Sequence, residues 1–287
     1  MSESSRPQGA GARSPNRLGH VEPLSQEALA RLCRGSRLVT RALWIDETDS
    51  TQEELRRHGT GEAAQAGLLV AAGAQTAGRG RLGRSWFSPR GQGLWFSLLL
   101  VPPRERREWP FVTQIAALAL RRALMDAAAL STQIKWPNDL LCEGRKLAGI
   151  LAETVSCGPM ALGVGVNLGQ KREDFPAELR EKASSVLVET GCTVGPARLL
   201  QAFLARFEAD LERFEREGAP AFREELQAAS ALFGRWIRMS DGRAGRARDV
   251  GASGTLELEG AGGERFEIAS GEIVEIDPPL GKRNRES

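Results

Sequence analysis

The sequence predicts an α+β fold: a mixed β-sheet backed by helices, followed by a small all-β barrel of SH3-like size. Three observations carry this. Leu94 to Val101 is an apolar run, a buried strand by its length and flanks. Pro196 to Glu217 repeats Leu199, Leu200, Phe203, Phe207, Leu211 and Phe214 at helical spacing, the stripe of a core-facing amphipathic helix. After Gly234 the character changes. Short strands at Trp236–Met239, Arg246–Val250, Thr255–Leu258, Arg265–Ile268 and Glu272–Ile276 are separated by the turn signals Asp241-Gly242, Ser253-Gly254 and Gly260 to Gly263.

Taken in order, residues 1–18 are rich in Ser, Gly, Pro and Arg and nearly devoid of apolar side chains. Such a stretch cannot bury a core, so a disordered tail is expected, and it has no apolar region of a secretory signal. A main domain over 19–232, a β domain over 233–280 and a tail over 281–287 complete the expected organisation. Ser25 N-caps a short helix to about Cys33, with Leu24 and Leu29 as a hydrophobic staple. Leu38 to Ile45 reads as a strand. Ser50-Thr51-Gln52-Glu53 reads as a capping box opening a helix that ends near Gly59. Leu68 to Gln75 is an apolar strand. Pro110 starts a helix to about Ala128, with Ile115, Leu118, Ala119 and Leu124 inward and Arg121 and Arg122 on a solvated face. Gln133 to Trp136 is a strand, broken by Pro137-Asn138-Asp139 and continued by Leu140 to Cys142. Glu143-Gly144 turns the chain, and Lys146 to Thr154 returns as a strand. This hairpin carries Lys135, Asn138 and Asp139 on one arm and Lys146 on the other. Met160 to Leu168 is a strand interrupted by Gly163 and Gly165, and glycine within a strand marks close approach of a ligand or another backbone. A further helix is expected from about Pro220 to Leu232.

Composition narrows the function classes. The net charge is +2, so no strong basic field draws the whole chain to nucleic acid or membrane. No apolar run approaches the roughly 18 residues of a membrane span. Four cysteines, Cys33, Cys142, Cys157 and Cys192, are scattered without a C-x-x-C pair. Reduced thiols and a cytoplasmic location are the expectation. There are two histidines, His20 and His58, and no tyrosine. A Ser-His-Asp triad or a His-rich metal site is not expected on that count. Catalysis must run on Arg, Lys, Asp, Asn and backbone groups.

One stretch stands out: Gln75-Thr76-Ala77-Gly78-Arg79-Gly80-Arg81-Leu82-Gly83-Arg84-Ser85-Trp86. Glycines let backbone N–H groups approach a ligand, arginines supply planar forks for phosphate or carboxylate, and the tryptophan offers a flat face. Taken alone, the run reads equally as a loop closing over a flat anionic ligand and as a flexible basic surface loop; an RNA-contacting segment is a further reading.

Three strings follow one another: Gly-Arg-Gly-Arg-Leu-Gly-Arg-Ser-Trp from Gly78, Lys-Trp-Pro-Asn-Asp-Leu from Lys135, and Arg-Lys-Leu-Ala-Gly-Ile-Leu from Arg145. A fourth, Gly-Val-Gly-Val-Asn-Leu-Gly, runs from Gly163. Together and in this order they resemble the biotin protein ligases. The likeness covers Asp49 to Gly169 closely and reaches more loosely to about Asp277. It implies a catalytic domain related to class II aminoacyl-tRNA synthetases and biotin–lipoate ligases, and an ATP-dependent, AMP-forming reaction with Mg²⁺. Biotin's carboxylate attacks the α-phosphate of ATP to give biotinyl-5′-adenylate and pyrophosphate. A lysine of a biotin carboxyl carrier domain then takes the biotinyl group.

By the same likeness, Ser50, Thr51 and Gln75 hold the ureido ring. Gly78, Arg79 and Arg81 belong to the loop over biotin and adenylate. Arg84 reaches phosphate and Trp86 packs near the adenine. Lys146 contacts the biotin carboxyl and the α-phosphate. Asn138 and Asp139 lie near the phosphates, with Asp139 orienting metal or receiving the acceptor lysine's proton. Gly149, Gly163, Gly165 and Asn167 line the floor. The metal ligands stay unassigned. Gln52 stands where the family commonly has Asn. No helix-turn-helix precedes Ser25, so no specific DNA binding is expected; a homodimer is compatible with this reading. The rival readings are a lipoate or octanoate ligase, a nucleic-acid binder built on the Gly-Arg loop, and a vitamin-binding protein without catalysis. Biotin-dependent pyrophosphate exchange separates them.

Overall fold

The computed structural model describes residues 23–58, 66–155, 158–278 and 280. Both predicted tails and Cys157 lie outside the described residues. Seven strands form one sheet: β1 (Arg41–Ile45), β2 (Leu68–Ala72), β3 (Gly93–Leu100), β4 (Gln133–Lys135), β5 (Asp139–Cys142), β6 (Arg145–Thr154) and β7 (Met160–Asn167). Their order is β1-β2-β3-β7-β6-β5-β4. β1 and β2 run parallel and the remaining pairs antiparallel, so the sheet is mixed as expected. Among the described residues six α-helices accompany it: α1 (Gln26–Cys33), α2 (Thr51–His58), α3 (Val112–Ala128), α4 (Val186–Thr190), α5 (Pro196–Glu217) and α6 (Arg223–Ala229).

The period-2 alternation of side chains explains how one sheet carries both a core and a site. In β3, Leu94, Phe96, Leu98 and Leu100 face α3 and α5 and join the main core. In β7, Leu162, Val164 and Val166 do the same, as do Ala148 and Ile150 of β6. The intervening positions face the other way: Trp95, Ser97 and Leu99, then Gly163 and Gly165, then Gly149 and Leu151. On that second face α2 covers one end, with Leu55 packed on Leu68, Val70, Leu99 and Ala161. The rest holds glycine and serine, which leaves a hollow. On the core face, Phe203 and Phe207 of α5 stack at 5.2 Å and Phe96 meets Phe203 at 5.4 Å. All three are at most 1% exposed. Truncating such a phenylalanine to alanine costs about 3–5 kcal/mol.

The second sheet comprises β8 (Trp236–Met239), β9 (Ala244–Val250), β10 (Leu256–Glu259), β11 (Arg265–Ile268) and β12 (Ile273–Asp277), in the order β11-β10-β9-β8-β12 and antiparallel throughout. Its core of Ile237, Met239, Ala247, Leu256, Leu258 and Ile268 also contains Leu232 and Trp136 from the preceding part of the chain. The Trp136 indole N–H donates to the carbonyl of Gly254 at 2.9 Å, docking a barrel turn onto the hairpin.

Several local expectations are corrected. The Ser25 cap forms, its hydroxyl accepting from the Ala28 N–H at 3.2 Å. The capping box at Ser50 does not close. Asp49, not Glu53, accepts from the Ser50 N–H, at 2.7 Å. Glu53 is drawn away to Arg56 and Arg79. Arg121 and Arg122 do not lie on a solvated face: the first is taken by the loop after α3, the second by α5 and α6. Arg121 donates to the carbonyl of Thr132 at 2.8 Å. Arg122 pairs with Asp210 and with Glu225, the latter at 2.5 Å, and Arg213 holds Glu225 from the other side at 2.6 Å. A 3₁₀ turn over Arg106–Phe111 precedes α3, so the α-helix begins at Val112 and not at Pro110. The short helix α4 had no counterpart in the sequence reading.

Candidate active site

The glycine-lined hollow is a cavity of about 350 Å³, a size suited to a small-molecule ligand. Ser50, Thr51 and Gln75 line it at one end, the loop residues Arg79, Arg81, Arg84 and Trp86 cover it, and Asn138, Asp139, Lys146 and Asn167 stand along its sides. Gly149, Gly163 and Gly165 form the floor. Of the residues given a binding or catalytic role in the sequence, Gly78 alone does not line the cavity. It serves close backbone approach instead: a Cβ there would sit 2.5 Å from the carbonyl oxygen of Trp86.

The Gly-Arg loop folds on itself. The Trp86 N–H donates to the Gly78 carbonyl at 2.8 Å, and the Gly80 N–H to the Arg84 carbonyl at 2.7 Å. At its tip Leu82 has φ 57°, a left-handed conformation costly for a non-glycine residue, and its side chain is 69% exposed. Two arginines anchor the loop: Arg79 to Glu53 of α2, and Arg84 to Glu272 beside β12. The barrel therefore reaches the site, and Gly271, Glu272 and Ile273 line the cavity. Arg81 is half-buried and has no hydrogen-bond or ion-pair partner among the described residues. Burial lowers its pKa, and its charged neighbours are Asp139, which opposes that shift, and Arg84.

The Glu143-Gly144 turn, with φ of 46° and 78°, sets the hairpin that brings Lys146 to Asp139. Lys146 Nζ lies 2.7 Å from Asp139 Oδ1 and 5.1 Å from the centre of the Trp86 ring. That ring rests on Gly149 and Gly165, which pair across β6 and β7. A Cβ on Gly165 would come within 2.6 Å of the indole nitrogen. Trp95 meets Trp86 edge-on at 6.4 Å.

Some predicted side chains are already engaged with protein. The Asn138 carboxamide donates to the carbonyl of Ile150 at 2.9 Å, pinning the Pro-Asn-Asp turn to β6. Asn167 donates to Ser184 O at 2.9 Å and accepts from Gln170 at 3.1 Å. It thereby straps residues 182–185 beside Lys146, whose N–H donates to Lys182 O at 2.8 Å. Gln75 accepts from the Thr51 N–H at 2.9 Å and donates to Ser88 at 2.8 Å.

Sequence reading missed Ser97, fully buried and 2.8 Å from the Thr51 hydroxyl. The signal was there: one serine in an otherwise apolar strand. It also missed Lys182 and the barrel residues at the cavity wall. Cys142 is buried, and desolvation pushes its thiol up to about 12, which leaves it without thiolate chemistry. Among the described residues no group of three or more His, Cys, Asp or Glu side chains is placed to hold a metal. Asp139, the carboxylate beside Lys146 on the cavity's side, suits magnesium only as that ion usually binds nucleotide, by one or two carboxylates with phosphate oxygens and water.

Comparison with known proteins bears on the same residues. The family described as Biotin/lipoate A/B protein ligase matches residues 44–170. The biotin–[acetyl-CoA-carboxylase] ligase of Paracoccus denitrificans is 36% identical over 234 residues, covering 77% of this chain and 95% of that protein. The bifunctional ligase/repressor BirA of Bacillus subtilis is 39% identical over 168 residues. That match takes in 57% of this chain and 50% of the relative, so the chain spans about half the length of this Bacillus protein. Among solved structures, the Aquifex aeolicus biotin protein ligase in complex with biotin and ATP superposes with a TM-score of 0.71 at 28% identity, covering 83% of this chain and 98% of that one.

Proposed function

Because this chain belongs to the biotin protein ligase family, we propose that it activates biotin with ATP and transfers it to a lysine of a biotin carboxyl carrier domain. The observation that carries this reading is the charge arrangement over the glycine floor. Arg81, half-buried and without an ion-pair partner among the described residues, stands near Asp139 and the Lys146 ammonium. A cation left in a partly desolvated hollow is compensated by an anion arriving there.

Adenylation brings a carboxylate onto a polyphosphate, two anions that repel. In this proposal Lys146 leaves Asp139 to lie between the biotin carboxyl and the α-phosphate, and Arg81 and Arg84 take the remaining phosphate charge. Preorganised cations of this kind stabilise charge developing in the transition state. Asp139 would be the protein's carboxylate toward a magnesium ion bound with ATP, which would supply further neutralisation of the phosphates. Ser50, Thr51 and Gln75 bind the ureido end. In the second step the acceptor's ε-amine attacks the acyl carbon, AMP leaves, and Asp139 takes the amine's proton. A domain boundary near 232/233 belongs to the same proposal, as does a cytoplasmic location; among the described residues no helix is long and apolar enough to cross a membrane. No sequence-specific DNA contact is part of this reading.

The test is ATP–pyrophosphate exchange with biotin, lipoate and octanoate supplied in turn. Exchange that depends on biotin alone is expected. Exchange driven by lipoate or octanoate would assign the neighbouring ligase chemistry, and none with any acid would remove the enzymatic reading.

A further inference from the structure

Strict alternation along β6 would aim Lys146 away from the cavity. Residues two apart in a strand share a face, and Ala148 belongs to the main core. A β-bulge resolves the conflict. Leu140 opposes Ala148 while Leu141 opposes Lys146, so Leu147 is the extra residue. Leu147 and Ala148 are both fully buried in the core, and Lys146 and Gly149 both line the cavity. The aim of the Lys146 ammonium therefore depends on what holds the chain at the bulge.

The backbone of Lys146 is held by residues 182–184. Its N–H donates to Lys182 O at 2.8 Å and its carbonyl accepts from the Ser184 N–H at 2.9 Å, a parallel bridge centred on Ala183. Behind this bridge stands Glu189 of α4, its side chain 7% exposed. Glu189 Oε1 accepts from Arg145 Nη2 at 2.8 Å and from the Ser184 hydroxyl. Both bonds are charge-assisted. One carboxylate thus ties the residue before Lys146 to the segment that pairs with Lys146. The helix carrying it is itself fixed: the Ser185 hydroxyl accepts from the Val188 N–H at 3.1 Å and donates to Gln170 O at 2.5 Å. Arg145, Ser184 and Glu189 do not line the cavity. We infer that Glu189 is a positioning residue for adenylation: through Arg145 and Ser184 it fixes the bulged start of β6 and so the aim of Lys146. This rests on the biotin-ligase reading and on the role given to Lys146 in it.

A double-mutant cycle on the full chain tests it, read as biotin-dependent pyrophosphate exchange. Glu189→Ala should lower kcat by about tenfold or more, up to the roughly 10²–10³ expected for Lys146→Ala, because a displacement of about 1 Å at a reacting group costs on that scale. KM for biotin and for ATP should stay within about twofold, since no ligand contact is removed. Transfer from preformed biotinyl-adenylate should stay near the wild-type rate. In the Lys146→Ala background Glu189→Ala should cost nothing further, because no ammonium is left to aim. A Glu189 that serves only the fold would slow exchange and transfer alike, with or without Lys146. Either result overturns the inference, as does an unchanged kcat. Should the Ala variant not fold, the same cycle is read with Glu189→Gln. Its carboxamide keeps one acceptor oxygen for two donors, so kcat should fall by about threefold or more with Lys146 present and not without it. Equal falls in both backgrounds, or none, overturn the proposal. Wild type without biotin-dependent exchange would overturn the ligase reading itself, and full exchange in Lys146→Ala would overturn the role of Lys146, both before Glu189 is compared.

Discussion

Lys146→Ala should separate catalysis from stability. The ammonium meets Asp139 at 2.7 Å with side-chain exposures of 34% and 22%, and it lies 5.1 Å from the Trp86 ring centre. A pair this accessible contributes about 0.2–1 kcal/mol, and the cation–π contact about 0.5–1 kcal/mol. At about 2–4 °C per kcal/mol for a domain of this size, the Tm should fall by less than about 8 °C. Loss of one preorganised cation at the reacting phosphate is larger, about 2.7–4 kcal/mol, or about 10²–10³ in rate. Biotin-dependent pyrophosphate exchange should fall by that factor. Lys146→Arg should restore only part of it, because the planar fork is wider and aimed differently from a compact ammonium. Given preformed biotinyl-adenylate, the Ala variant should modify the acceptor at close to the wild-type rate. A variant equally slow with the adenylate and with biotin plus ATP would refute the assignment of Lys146 to the first step. A collapse in Tm would mean that the residue serves the fold.

Three further outcomes are expected. Glu272→Gln removes the barrel's hold on Arg84; the pair is 60% and 43% exposed, and a contribution of at most about 1 kcal/mol implies up to about fivefold faster tryptic cutting in the free loop, suppressed by biotin with ATP. Desolvation pushes Asp210 up to about 6 despite its contact with Arg122, with Glu225 raising it further and Arg213 lowering it. An acid whose folded value lies above its unfolded one, about 3.9, stabilises when protonated and loses that contribution as pH rises through the folded value, so the fall in Tm from pH 4 to 7 should be shallower in Asp210→Asn. Removing residues 1–18, which carry no motif residue, should leave kcat/KM for transfer nearly unchanged, and a loss of about tenfold would show that this segment contributes to the catalytic domain.

The elements with strong periodicity were legible in the sequence. The stripe from Leu199 to Phe214 lies in a helix with the predicted bounds, Pro196–Glu217, and Trp236–Met239 and Arg265–Ile268 are strands as expected. The Gly-Arg run and the interrupted strands also line one cavity; the run alone left a surface loop open, and it was the four strings in order that pointed to a common site. What escaped depended on tertiary context. Arg121 and Arg122 look like a solvated pair until the Thr132 carbonyl takes the first and Asp210 of α5 with Glu225 of α6 take the second. Glu53 fits a capping box locally, but Arg56 and Arg79 draw it away. Trp136 sits inside a catalytic-looking motif, yet its indole anchors the barrel. Asn167 reads as ligand-facing, yet both ends of its carboxamide hold residues of this chain. Local spacing specifies which side chains are available, and the partners across the fold decide how they are used.

The most direct measurement is transfer of biotin to a recombinant biotin carboxyl carrier domain, followed by the mass of the acceptor lysine, with ATP and Mg²⁺ omitted in turn. The account predicts one biotinyl group on the acceptor only when biotin, ATP and Mg²⁺ are all present, and transfer from preformed biotinyl-adenylate without ATP. An acceptor left unmodified by the complete mixture, or modified without either ATP or adenylate, would contradict it.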